Sequence, residues 1–522
     1  MLAAVVTTAL AYALCARMER PWIALDWLGL VPWLVVLEGT RSVGHAAAAG
    51  VVMCVVFVLA VFSWFVAGIA SYTGASPALA VLCLGLAAPL LEPQLITFAL
   101  ARHLARQAGA PAWRVAVIAA GVYVGTEWVW PKLFADTLGH GLYPSLWMRQ
   151  AADVAGVPGL TFVVLLGNEC ALAAVCAGDL RRALAPLAGG LGLVLALAAY
   201  GALRCAQLAG GGTTVTAGVV QANIAHYDRL AAEVGTFEAV RRILDAHFAL
   251  SEDLLRRGDP DLVVWPETVY PTTFGSPKSP DGAAFDREIA AFVARIGRPL
   301  VFGSYDTENG DEFNAAIFLE PARHGPLAFE AYRKVSLFPL TERVPAVLES
   351  ALVRRWLPWL GTWKPGKGAA AIPVTLRDGR TLRIAPLICY DALDAHLAVD
   401  AVRRGAEMIL TLSNDSWFAG AGRGPRLHLI GSAFRSVETR RPQVRATNTG
   451  ISAVIDATGE IVDTAGVGKR TALMAAVRPE REATTLVLAW GDWLGPAALV
   501  CAAGLLLIPL LGRRAVVAPV KG

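Results

Sequence analysis

Three side chains in the second half of the chain have the types needed for acyl transfer through a covalent intermediate. They are Glu267 in "WPET", Lys334 in "YRKVS" and Cys389 in "LICYD". A thiol attacks only as the thiolate, and it needs a base or a positive neighbour to reach that state. A carboxylate in an apolar setting can take the proton, and an ammonium can stabilise the oxyanion of a tetrahedral intermediate. Each residue also has a plainer reading: Glu267 as a helix cap, Lys334 as a solvated charge, Cys389 as a small buried hydrophobe. Spacing alone does not decide between them.

Cysteine usage adds weight to Cys389. Of eight cysteines, Cys15, Cys54, Cys83, Cys170, Cys176 and Cys501 fall within apolar runs and Cys205 sits at the edge of one. Cys389 is therefore alone in the soluble-looking part of the chain. An exported domain usually pairs its cysteines, so a thiol with no domain partner points toward function.

The elements that would position these groups alternate between strand and helix across residues 213–484. "TTVTAGVVQANI" reads as a strand and 229–257 has helical spacing; "PDLVVWPET" is a strand ending in polar residues, and 285–297 a helix. "PLVFGSYD" and "NAAIFLE" read as paired strands, followed by "LAFEAYRKVSLFP" and "LRIAPLICYD". A helix near 392–405, the strand "EMILTLSND", a helix near 426–441 and the strands "QVRATNTG" and "ISAVIDATG" complete the pattern. Such alternation predicts an α/β layered domain. Glu267, Lys334 and Cys389 all fall at strand ends, where open α/β sheets place their sites.

The rest of the 522 residues are of a different kind. The chain is 55% hydrophobic, and the excess is concentrated in 1–212 and 485–511. A membrane span needs about 20 apolar residues, and that window predicts eight: 2–16, 22–38, 46–70, 77–101, 113–130, 157–178, 184–204 and 485–511. A cleaved signal peptide is not expected, because no basic residue precedes the first apolar run and more membrane follows. Arg41, Arg102, Arg106, Arg114, Arg181, Arg182, Arg513, Arg514 and Lys521 then share one side, outvoting Arg17 and Arg20. Basic loops face the cytoplasm. This predicts a membrane domain over 1–212, an extracytoplasmic domain over 213–484, a last span over 485–511 and a cytoplasmic tail over 512–522. The net charge of +4 gives no sign of a nucleic-acid partner.

Five motifs in order, "VVWPETVYP", "AYRKVSLFPLTERVP", "LICYDALD", "NDSWFAG" and "RATNTGISAVIDATGEIV", resemble the nitrilase superfamily. With spans on both sides and "TEW" at 126–128, the chain resembles that superfamily's membrane-embedded branch, the bacterial apolipoprotein N-acyltransferases. The resemblance covers essentially the whole chain. It implies a nitrilase-like α-β-β-α sandwich on a helical membrane base, with Glu267, Lys334 and Cys389 as catalytic triad and Glu342 as a second glutamate. Tyr390, Asn414 and Trp417 become supporting or substrate-binding residues. The implied reaction is a two-step acyl transfer in the bacterial inner membrane, with no cofactor. A phospholipid, usually phosphatidylethanolamine, acylates the cysteine, and the α-amine of an S-diacylglyceryl-cysteine apolipoprotein accepts the chain as an amide. A monomer in the bilayer is expected.

Departures from the family pattern surround the lysine: Ser336 stands for His, Thr341 for Gly, Arg343 for Tyr, and Asp391 for the Glu that follows "CY". They keep open a membrane-tethered amidase, with water attacking the thioester, or an acyltransferase for another amine. A non-enzymatic protein is disfavoured by the intact Glu267, Lys334, Cys389 and Glu342. Trp417 and Phe418 are expected to line an acyl-chain pocket, packing being the alternative. Asn414 is expected to support the site by hydrogen bonding or to serve a turn. Intramembrane Glu92 and Glu127 are costly in lipid and either serve function or bond a neighbouring helix. His226, His247, His324, His396 and His428 show no metal-ligand spacing, and "LAGGGTTV" lacks the lysine of a phosphate loop.

Overall fold

A computed structural model gives the fold, describing residues 1–208, 213–225, 227–321, 328–344, 349–356, 361–418 and 422–515. Within these, the side chains of Tyr72, Asp228, Trp356, Trp417 and 508–515 are not described. His226, His324 and Lys521 therefore lie outside the described residues, as do the side chains of Trp417, Arg513 and Arg514. The chain forms two compact units, one of residues 1–207 with 490–522, the other of residues 208–489.

The second unit is a sandwich of two sheets. Its strands in chain order are β1 (Val215–Gln221), β2 (Leu262–Val264), β3 (Tyr270–Thr273), β4 (Leu300–Glu308), β5 (Asp311–Leu319), β6 (Phe329–Arg333) and β7 (Ile372–Thr375). There follow β8 (Thr381–Ile388), β9 (Met408–Ser413), β10 (Gln443–Thr447), β11 (Ser452–Ile455), β12 (Ile461–Ala465) and β13 (Thr471–Val477). Among the described residues one sheet runs β13-β1-β2-β4-β5-β6, with β3 beside β4, and the other runs β12-β11-β10-β9-β8-β7. Each sheet combines a parallel centre (β1-β2-β4 and β8-β9-β10) with antiparallel flanks.

Period-two alternation explains the layering, because successive side chains on a strand face opposite ways. Val215, Ala217 and Val219 of β1 share one buried cluster with Ile384 and Ile388 of β8 and Leu410 and Leu412 of β9, which is the core between the sheets. The opposite faces are apolar too. Val263, Leu300 and Phe302 pack with Ile243 and Leu244 of the helix Thr236–Arg257 and with Ile289 and Phe292 of the helix Pro280–Ile296. Ala385, Leu387 and Ile409 pack with Leu397, Ala398 and Ala401 of the helix Ala395–Arg403. Four layers follow: helices, sheet, sheet, helices. The helix read over 229–257 is two helices, Tyr227–Val234 and Thr236–Arg257, separated by Gly235 at φ 86°.

The first unit is helical. Among the described residues four helices are long and apolar enough to cross a membrane: Arg20–Glu38, Val43–Val61, Met148–Val175 and Leu180–Gln207. Pro77–Leu91 and Pro93–Gln107 make a fifth if counted as one span bent by 48°, and Leu2–Cys15 and Leu494–Leu507 are shorter apolar helices. The apolar runs of the sequence do not translate into eight uniform spans, because the backbone breaks inside several of them. Pro93 lacks the N–H that would continue a helix through Glu92, 46–70 divides between the helices Val43–Val61 and Phe65–Thr73, and 485–511 divides into Leu486–Trp490 and Leu494–Ala515. Glu92 and Glu127 both bond a neighbour. Lys132 Nζ lies 3.4 Å from Glu92 and 3.1 Å from Glu127, with Asp136 3.4 Å away. A buried carboxylate needs such a partner.

Candidate active site

Glu267, Lys334 and Cys389 emerge from three strand ends. The β2–β4 pairing continues past β2, since Trp265 N–H donates to the Val301 carbonyl at 2.8 Å and Gly303 N–H to that of Pro266 at 3.0 Å. Glu267 follows at once. Gly303 is required there, because a methyl group on it would fall 2.5 Å from Glu267 Cα. Lys334 follows β6 and keeps its register, its N–H donating to the Asn314 carbonyl on β5 at 2.8 Å. Cys389 begins a tight turn directly after β8 and sits at φ 50°. A non-glycine residue in that left-handed region is uncommon and carries strain.

The structure brings the carboxylates and the ammonium together. Lys334 Nζ lies 2.7 Å from Glu342 Oε1 and 3.3 Å from Glu267 Oε1, and the lysine is only 1% exposed. Asn314 Nδ2 donates to Glu267 Oε1 at 2.8 Å, and Asn414 donates its backbone N–H to Glu267 Oε2 at 2.8 Å. Phe338 N–H donates to Glu342 Oε2 at 2.8 Å. Every carboxylate oxygen of the pair is thus held by a fixed donor. Burial by itself would depress the Lys334 ammonium, but Glu267 and then Glu342 outweigh it and hold it well above its usual range.

Cys389 is buried beside them. Burial pushes its thiol up, Glu267 adds to this, and Lys334 pulls the other way. The resting group is therefore a protonated thiol in the fields of a carboxylate and an ammonium, types that can respectively take a thiol's proton and steady the charge that results.

Asp391 joins the two sheets at this point. One carboxylate oxygen accepts the N–H groups of Ser336 at 2.7 Å and Val335 at 3.1 Å, just past Lys334. The other accepts Ile388 N–H and the Tyr332 hydroxyl, each at 3.0 Å. Burial lifts Asp391 to about 7, with the Ser336 N–H and the Lys334 charge opposing. Ser336, a departure from the family pattern, donates its hydroxyl to Asp394 at 2.9 Å. Tyr390 packs edge-on against Phe338, ring centroids 5.2 Å apart. Asn414 bonds the site through its main chain, and its side-chain oxygen accepts Ser416 N–H at 3.3 Å. Trp417 lies in the turn Ser416–Phe418, its side chain outside the described residues.

Asn314 is the site residue that sequence reasoning missed. The signal was there: Asn314, Ala316 and Phe318 share one parity on β5, and Ala316 and Phe318 face the core between the sheets. A polar residue on a buried face needs a partner, and here it is Glu267.

Comparison with known proteins agrees with this architecture. The family described as carbon-nitrogen hydrolase matches residues 216–485, and the one described as apolipoprotein N-acyltransferase N-terminal domain matches residues 8–170. An apolipoprotein N-acyltransferase of Rhizobium meliloti is 33% identical over 72% of this chain and 69% of its own length. The chain belongs to the apolipoprotein N-acyltransferase family. A second family member, from Gloeobacter violaceus, is 28% identical over 94% of this chain and 90% of its own length. Among solved structures, the nitrilase-superfamily protein Nit3 of Saccharomyces cerevisiae aligns at 18% identity and a TM-score of 0.36, covering 51% of this chain and 90% of that one. This family member is an acyltransferase of the nitrilase superfamily, a membrane protein with a helical region of several apolar helices and a nitrilase-like α/β unit.

Proposed function

We propose that this protein moves a fatty acyl chain from a membrane phospholipid, through a thioester on Cys389, to the N-terminal amine of S-diacylglyceryl-cysteine in apolipoproteins. The observation that carries the reading is the buried Lys334, clamped between Glu267 and Glu342 with the Cys389 thiol in its field. In the first half-reaction Glu267 takes the Sγ proton and the thiolate attacks the sn-1 ester carbonyl of the phospholipid. Lys334 Nζ donates to the oxyanion that forms. Collapse breaks the ester C–O bond, and the lysophospholipid oxygen leaves with the proton held by Glu267. In the second half-reaction the α-amine attacks the thioester, Glu267 takes the amine proton, and collapse expels the Cys389 thiolate, which recovers that proton. The amide is the product.

Glu342 supports this scheme by fixing Lys334 rather than by reaching the substrate. Asn414 fixes Glu267, and Tyr390 borders the nucleophile. The placement that suits both lipid substrates is the inner membrane, eight spans, with residues 213–484 outside the cytoplasm, as the basic loops favour. Reconstitution in phosphatidylethanolamine vesicles with a synthetic diacylated lipopeptide tests the reading. N-acylated peptide from the parent and none from Cys389→Ala is the expected result. Release of free fatty acid in place of acylated peptide would favour the amidase-like alternative.

A further inference from the structure

The outer face of the second sheet is apolar beneath the helix Ala395–Arg403. Beneath its neighbour, the helix Arg423–Thr439, the same face is charged. Arg445 of β10 and Asp415, just past β9, are buried there together with His428 of that helix. Arg445 Nη2 lies 3.3 Å from Asp415 Oδ2 and 3.0 Å from His428 Nδ1. Asp415 Oδ1 lies 3.1 Å from that same ring nitrogen. The other ring nitrogen, Nε2, lies 2.9 Å from the carbonyl oxygen of Cys389.

Burying an ion pair with a third polar ring is poor value for stability compared with apolar packing. The guanidinium even leaves Nε and Nη1 without a hydrogen-bond partner among the described residues. What the cluster does achieve is a grip on one peptide group. A carbonyl only accepts, so Nε2 must carry a hydrogen. Nδ1 has two ways to be satisfied: without a proton it accepts from Arg445, and with one it donates to Asp415. The bond to Cys389 is kept in both states.

We propose that His428, backed by Asp415 and Arg445, is a positioning residue for the nucleophile, a reading that rests on Cys389 being the acylated group. Cys389 is held at φ 50°, which few non-glycine residues adopt unaided. The peptide group is rigid and planar, so holding its carbonyl fixes the Cys389–Tyr390 unit and the turn that starts there. Sγ then stays toward Glu267 and Lys334 instead of relaxing away with the backbone.

Two amide substitutions of the histidine separate positioning from packing. The nitrogen of His428→Gln reaches about as far as Nε2 and can donate to the Cys389 carbonyl. The nitrogen of His428→Asn reaches only as far as Nδ1 and cannot. Full-length protein in detergent is alkylated with iodoacetamide over a range of pH, the Cys389 peptide is followed by mass spectrometry, and melting is recorded in parallel. The Asn variant should melt like the parent yet lose about tenfold to a hundredfold in alkylation rate at neutral pH, the size expected for a misplaced reacting group. Its kcat for acyl transfer should fall in step with KM for phospholipid unchanged, and the Gln variant should recover most of both. Equal behaviour of the two amides, whether both active or both inactive, would overturn the proposal. A parent that is alkylated at Cys389 but never acylated by phospholipid would instead overturn the function proposed above, leaving the alkylation comparison to judge His428.

Discussion

Replacing Lys334 by methionine removes the cation that pairs with Glu267 and Glu342 and keeps the side-chain volume. Glu267 and Glu342 are then left facing each other across Asn314, whose Nδ2 lies 2.8 Å from the first and 3.5 Å from the second. Breaking a buried ion pair from one side costs about 3–5 kcal/mol, because the remaining charge is uncompensated. Lys334 is 1% exposed and Glu267 5%, so solvent relieves little of the loss on that side, while the Glu342 side chain is 18% exposed and relaxes more readily. Catalysis should suffer separately. Loss of one oxyanion donor lowers acyl-transfer rates by about 10²–10³-fold, and the proposed mechanism uses Lys334 as that donor in both half-reactions. Chemical unfolding of the full-length protein in detergent measures the first effect, and single-turnover acylation of Cys389 by phospholipid, chased with lipopeptide, measures the second. Adding Glu342→Gln to Lys334→Met removes one of the stranded charges and should return about 1–3 kcal/mol of stability, a coupling typical of residues in contact. It should return no activity. Parental stability in the single variant, or recovery of acyl transfer in the double, would refute the account of Lys334 as clamped cation and oxyanion donor.

Glu267→Gln should slow labelling of Cys389 by about 10²–10⁴-fold, the usual contribution of a general base; whichever way the amide turns, its NH2 meets a donor from Asn314, Lys334 or Asn414. Gly303→Ala should cost about 1–3 kcal/mol as overpacking and displace Glu267, since the new methyl falls 2.5 Å from its Cα; melting and labelling should fall together, and an unaffected variant would deny that Gly303 sets this carboxylate. Arg445 and His428 hold Asp415 at about 2 against the opposing effect of burial. Its folded value lies below the ordinary one, so its stabilisation, about 2 kcal/mol, is present above pH about 4 and lost as the pH falls toward 2. Unfolding of Asp415→Asn followed over acid pH should lack that limb. An identical acid profile in parent and variant would contradict it.

Much of this molecule could be read from its sequence, for identifiable reasons. The strands β1, β4, β5, β8, β9 and β10 are dense in apolar residues because both faces of each sheet are covered, one by the other sheet and one by helices. Such strands stand out as apolar runs; Cys389 lies at the end of one of them, β8, whereas Glu267 and Lys334 close the shorter β2 and β6. β12 escaped because most of it is exposed, with Asp463 at its centre and no buried face to impose alternation. β13 closes the first sheet by pairing with β1 from more than 200 residues away, and no local pattern announces such a pairing. The same limit applies to side chains. Nothing near His428 in sequence points to the Cys389 carbonyl, and nothing near Asp391 points to the N–H groups of Val335 and Ser336. Those contacts exist only once two strand ends and a helix from distant segments are stacked. Charges inside apolar runs were easier to flag than to pair, since Lys132, the partner of Glu92 and Glu127, sits just beyond the apolar run 113–130.

The central claim is that Cys389 carries the acyl chain between two lipid substrates. Its most direct test is the intact mass of the Cys389 peptide from purified protein incubated with phosphatidylethanolamine alone, then with a diacylated lipopeptide. The account predicts a fatty acyl mass on Cys389 after the first step and its disappearance, matched by N-acylated peptide, after the second. An unmodified Cys389 in protein that still acylates the lipopeptide would contradict it.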